Sequence, residues 1–225
     1  MITPYDWQEG IGHRAEYVQS RLEGGSPVLA VSIPEGVLTF TVRRQAKKIF
    51  EIYDRLLMAG LGQQSDVESL RVAAIDFAHQ EGYQRSEADV TVQRVVGVLS
   101  TPLKRAFSDF NSSPFVLKAM FAEVGAKPES DLFFVLDFDG DYHERQQWAV
   151  LSGEPGLTET LRDGLATLYD TKPSLDTAMN TLKDLWAVAM SEDGGTTYAE
   201  LTRELTSEAV LLERNDSRQT RFRVV

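Results

Sequence analysis

Asp137, Asp139 and Asp141 surround Gly140 at a spacing that resembles the opening of a calcium loop. The D-x-D-G run is too short for an EF-hand, and the twelfth position of such a loop falls on Trp148, which cannot ligate a cation. The residues therefore predict a solvated hairpin turn. His13, His79 and His143 lie far apart with no HExxH-like partner, which predicts surface residues and no metal centre. The densest basic cluster is Arg43, Arg44, Lys47 and Lys48. It reads either as a solvated strand end or, on an acidic protein, as a receptor for a carboxylate. There is no cysteine, which excludes disulfides, thiolate metal sites and a cysteine nucleophile.

These residues have to be held by elements whose pattern is clearest between Val28 and Gly62. That stretch is dense in β-branched and large apolar residues, and turn residues divide it into four predicted strands near 28–33, 37–43, 48–53 and 56–60. The breaks fall at Pro34-Glu35-Gly36, Gln45-Ala46 and Asp54-Arg55. VLAVSI and VLTFTV scarcely alternate between apolar and charged residues, so these strands expect cover on both faces. A polar segment, 1–8, precedes a predicted helix over 9–23, with Ile11, Ala15, Val18 and Leu22 at helical spacing. Helices are also predicted from Ser65 or Asp66 to His79, ending at Glu81-Gly82, and over 87–107, with a kink or break at Pro102. Strands follow at 115–124, 131–137 and 148–151, then two helices lined by Leu157, Leu161, Leu165 and Leu168 and by Leu175, Met179, Leu182, Trp186 and Ala189. Closing strands are expected near 209–214 and 220–225. Strands, two helices, strands, two helices, strands is the order of an α+β four-layer αββα sandwich rather than a doubly wound sheet.

At 225 residues, 42% apolar and 25% charged, one domain over 1–225 with a sizeable core is expected. A net charge of −11 argues against a surface for nucleic acid. No apolar run reaches bilayer length, and MITPYDWQEG lacks the basic start and apolar core of a secretory signal, so a cytoplasmic protein with no membrane partner is expected.

A leading helix, Gly-Gly-Ser, VLAVSIPEGV, and KKIFEIYDRLLMAGLG followed by a helix resemble the 20S proteasome subunit family, most closely the bacterial, actinobacterial-type α subunits. The resemblance implies the N-terminal-nucleophile hydrolase fold, divided as a gate-like tail (1–8), a leading helix (9–23) and the sandwich (26–225). A catalytic β subunit attacks with an N-terminal threonine assisted by an acidic residue and a lysine. The matching positions are Ser26, Val42 and Lys48, of which only the lysine survives. The resemblance thus implies a non-catalytic subunit without cofactor, building a heptameric outer ring that supports catalytic β rings, gates entry and docks a hexameric AAA+ ATPase. It implies that Lys48 receives the activator's C-terminal carboxylate, with Lys47 as the local alternative and Gly25 nearby. It places ring contacts on Ile11, Ala15, Val18 and Leu22 of the leading helix, where periodicity alone reads contact with the chain's own core. Tyr5-Asp6 resembles the start of a gating motif, but Trp7 stands where an arginine is expected. Two other readings are a self-processing hydrolase that cleaves Gly25–Ser26 to free Ser26, and a self-assembling relative with no β partner.

Overall fold

The computed structural model describes residues 4–191, 196–215 and 220–225, with only the backbone of Pro4 and Tyr5. Helix α1 (Pro4–Leu22) leads into strands β1 (Val28–Ile33), β2 (Gly36–Arg43), β3 (Ile49–Tyr53) and β4 (Leu56–Gly62). Helices α2 (Gln64–Gln84) and α3 (Val92–Ser108) precede β5 (Leu117–Glu123), β6 (Leu132–Leu136), β7 (Tyr142–Gln146) and β8 (Trp148–Leu151). Helices α4 (Leu157–Asp170), α5 (Leu175–Met190) and the one-turn α6 (Tyr198–Leu201) then lead to β9 (Thr206–Glu213) and β10 (Phe222–Val224).

The strands form two five-stranded antiparallel sheets, ordered β10-β9-β2-β1-β8 and β3-β4-β5-β6-β7. The period of two explains their unbroken apolar runs, since successive side chains enter different layers. In β1, Val28 and Ala30 pack between the sheets, whereas Leu29, Val31 and Ile33 pack beneath α4 and α5 with Leu161, Leu182 and Trp186. In β5, Met120 and Ala122 face the inter-sheet core, while Leu117, Ala119 and Phe121 meet Leu70, Ala74 and Val96 of α2 and α3. The result is the αββα sandwich.

The observed elements correct several expected boundaries. Helix α1 begins at Pro4, not Glu9: proline is pre-set for the first helical position, and Asp6 in the first turn complements the helix dipole. Tyr5, Asp6 and Trp7 are therefore helical, and Met1–Thr3 of the expected tail lie outside the described residues. Helix α2 runs through Gly82 to Gln84, closed by the Arg85 nitrogen on the Glu81 carbonyl; a Cβ at Gly82 would meet the Tyr53 hydroxyl, so the glycine serves packing there rather than ending the helix. Pro102 does not break α3; it is exposed, so water can reach the carbonyl left without its N–H partner. The break comes earlier, in a short 3-10 turn at Glu87–Asp89. Strand β7, YHERQ, has five exposed side chains and was not expected, since its strand state comes from pairing with β6. Thr206 rather than Ala209 opens β9, and the last strand spans only Phe222–Val224.

The stripe on α1 divides. Val18 and Leu22 are fully buried with Phe107, Val116 and Phe138, while Ile11 and Ala15 pack on the edge of that cluster. Contact with the chain's own core, as periodicity alone reads it, thus describes this face, and Val18 and Leu22 are not free for a ring neighbour. Among the described residues no helix is long and apolar enough to cross a membrane.

Candidate functional site

The chain crosses from α1 into β1 through Gly24, whose φ of +70° suits a glycine, and through Gly25. A Cβ on Gly25 would lie 2.7 Å from Leu61 Cδ1 and 3.0 Å from the Leu22 carbonyl, so close packing requires glycine there. Gly25 thereby brings Ser26 to the end of the sandwich near the start of β3.

Three side chains converge on Ser26. Lys48 Nζ donates to the Ser26 carbonyl at 2.6 Å, and Trp186 Nε1 from α5 donates to Ser26 Oγ at 3.1 Å. Thr41 Oγ1 lies 3.5 Å from Ser26 Oγ and donates to the Pro27 carbonyl at 2.7 Å. Neither contact of Ser26 Oγ is a base, and the lysine is spent on the carbonyl of the same residue. Ser26 nitrogen lies within the peptide chain, so it carries no free amine to accept a proton. Val42 is fully buried in the apolar layer with Leu38 and Phe40.

A carboxylate does stand near Lys48, but it comes from the far end of the sequence. Glu208 of β9 accepts from the backbone nitrogens of Lys48 (3.0 Å) and Ile49 (3.1 Å) and pairs with Arg43 Nε at 3.1 Å. It reaches them because β9 runs beside β2, with Glu208 opposite Thr41. Burial pulls the Lys48 ammonium down from its ordinary range to about 8, against the upward pull of the Glu208 charge. Lys48 also faces a cleft of about 400 Å³ whose wall includes Lys47, Phe50, Gly60, Val67 and Glu68. Lys47 is exposed at its rim. Sequence reading missed Glu208, Trp186 and Thr41 as site residues. Nothing local marked them: Thr41 and Trp186 read as ordinary strand and helix positions, and Glu208 lies 160 residues from Lys48.

The other candidates fall elsewhere. Asp137 pairs with Lys118 at 2.9 Å, and Asp139 accepts from the Asp141 nitrogen at 3.0 Å across the β6–β7 hairpin turn. His13 and His143 are exposed; His79 is exposed and meets the Tyr53 ring edge-on at 5.4 Å. Asp6 and Trp7 sit in the first turns of α1, with Trp7 47% exposed.

Comparison with known proteins identifies the family. The family described as "Proteasome subunit" matches residues 25–199, which run from Gly25 past Trp186. A proteasome subunit alpha of Actinosynnema mirum is 32% identical over 209 residues, covering 92% of this chain and 77% of the relative. Those of Geodermatophilus obscurus (29% identical; 92% and 72% covered) and Streptomyces scabiei (27% identical; 99% and 88% covered) are similar over nearly as much or more. The chain belongs to the proteasome subunit family.

Proposed function

We propose that this chain, as one domain, is a non-catalytic α-type subunit of a bacterial 20S proteasome, working in the cytoplasm. It forms a heptameric outer ring that supports rings of catalytic β subunits, restricts entry and docks a hexameric AAA+ ATPase. The observation that carries this reading is Ser26: it stands inside the chain, its Oγ faces an indole N–H and a hydroxyl rather than a base, and Val42 fills the acidic position. The similarity to proteasome α subunits supports the same reading. A lysine retained without its nucleophile, beside an open cleft, suits binding rather than catalysis, and we assign Lys48 to docking, with Lys47 at the rim and Gly25 as the packing that sets Ser26.

Intact mass and activity test this together. The purified protein should keep its amino-terminal segment and hydrolyse no peptide alone. Loss of the first 25 residues with turnover that disappears in Ser26→Ala would favour the self-processing hydrolase instead. Ring formation that never recruits β would favour the structural relative.

The gate belongs to the same proposal. Trp7 is half exposed on α1, and ring contacts fall to the outer side of this helix, where Tyr17 is 53% exposed, because Val18 and Leu22 are taken up by the core. Removal of residues 2–8, in particles assembled with active β, should speed hydrolysis of an unstructured protein without activator. Equal rates with assembly confirmed would leave Tyr5, Asp6 and Trp7 no part in closure.

A further inference from the structure

We infer that Glu208 is the positioning residue of the Lys48 site, fixing the start of β3 and neutralising Arg43 so that Lys48 presents a charged ammonium to the cleft. The inference rests on the reading of Lys48 as a carboxylate receptor and adds a residue to that site.

The geometry is specific. One carboxylate grips two consecutive backbone N–H groups, Lys48 and Ile49, at 3.0 and 3.1 Å, and holds Arg43 Nε at 3.1 Å. Its side chain is 9% exposed, so these contacts lie largely out of water, where charge-assisted bonds are strong. Without that grip the Lys48 and Ile49 nitrogens would lose their acceptor, and the start of β3 would be held from the β4 side alone, where the Gly60 nitrogen donates to the Lys48 carbonyl at 2.9 Å. That loosens the backbone from which Lys48 Nζ reaches the Ser26 carbonyl.

The charges around the ammonium also require Glu208. From β2 comes Arg43, from the β2–β3 connection Lys47, and from α2 Glu68, which is turned to Arg71 in a bidentate pair. Glu208 is therefore the carboxylate that offsets the two nearby cations. Burial has already brought the Lys48 ammonium to about 8, and the Glu208 charge opposes that fall. Removing the charge lowers it further. The sign follows: the ammonium exists below its pKa, so docking of an anion weakens as pH rises through about 8.

The test uses assembled rings and the uncharged peptide Gly-Ser-Ala-Phe-Ala with a free C-terminal carboxylate, labelled at its amino terminus with a pH-insensitive fluorophore. Anisotropy is read from pH 6 to 9, with the C-terminal amide as control. Glu208→Gln keeps one acceptor oxygen but no charge. It should lose roughly fivefold in affinity at pH 8 and nothing at pH 6, as a midpoint lowered by about one pH unit gives. Glu208→Asp restores the charge and should return the midpoint toward that of the native protein, and it serves as the second probe if the Gln variant fails to fold. An affinity in Glu208→Gln equal to that of the native protein at every pH overturns the inference, and a loss equal at every pH confines Glu208 to the backbone grip and overturns its electrostatic part, with Lys48→Met abolishing binding in both cases. Binding that is indifferent to Lys48→Met, or to the amide, overturns the underlying docking reading instead.

Discussion

Lys48→Ala, in particles assembled with a catalytic β subunit, is expected to abolish ATPase-stimulated degradation while rings remain intact. Lys48 borders the cleft of about 400 Å³ and is held at its base by the bond to the Ser26 carbonyl. A charge-assisted contact with a carboxylate contributes about 1.5–3 kcal/mol. In the proposed heptameric ring, seven copies would turn that modest term into a severe loss, because docking there would rely on several weak contacts made together. Lys47 sits exposed at the rim, so Lys47→Ala should retain most of the stimulation. Stimulation should also decline in the native particle as pH rises through about 8, where the Lys48 ammonium gives up its proton. Degradation assays with size-exclusion profiles of both variants decide the matter. Full stimulation in Lys48→Ala rejects the docking role.

The second large effect concerns stability, at the opposite end of β1. Asp131 is fully buried and takes a bidentate pair from Arg214, at 2.6 Å to Oδ1 and 2.8 Å to Oδ2. The same guanidinium donates to the carbonyls of Gly125 (2.8 Å), Ile33 (2.9 Å) and Pro34 (3.2 Å), while Ser32 Oγ and the Gly125 nitrogen donate to the carboxylate. This network joins the β1–β2 turn, the β5–β6 connection and the end of β9. Arg214→Met leaves a buried carboxylate without its cation, a loss of about 3–5 kcal/mol. For a chain of this size that lowers the melting temperature by roughly 6–20 °C. Adding Asp131→Leu should recover only part of the loss: the uncompensated charge is gone, but the Gly125 nitrogen and the carbonyls of Gly125, Ile33 and Pro34 lose their partners. Thermal unfolding at fixed protein concentration measures both, since assembly shifts the midpoint. A single variant within about 1 kcal/mol of native would show that water reaches Asp131 readily.

Much of the fold was written in local pattern. The apolar runs of β1 and β2 could be satisfied only by cover on both faces, and Val28 and Leu29 do enter different layers. Helical spacing likewise set the buried faces of α2, α4 and α5, because period and burial have the same geometric cause. Matched through the family resemblance to the threonine-type machinery, the types of Ser26, Val42 and Lys48 led to the expectation of a non-catalytic subunit. Gly25, Ser26 and Lys48 were legible as a candidate site only through the family resemblance, since glycine, serine and lysine near turns are common in any chain.

Tertiary structure decided the rest. Glu208 lies 160 residues from Lys48, and Arg214 83 from Asp131. A charged side chain has no periodicity that names its partner, so only the pairing of β9 with β2 and the meeting of three connections made these contacts. Strand β7 is polar at every position and becomes a strand because β6 offers it a hydrogen-bonding edge. Gly82 reads as the end of α2, but its use, leaving room for the Tyr53 hydroxyl against the helix, appears only in three dimensions. The apolar stripe of α1 could have served either the chain's own core or a neighbour, since burial free energy depends on area and not on whose area it is. Phe107, Val116 and Phe138 claimed Val18 and Leu22 for the core.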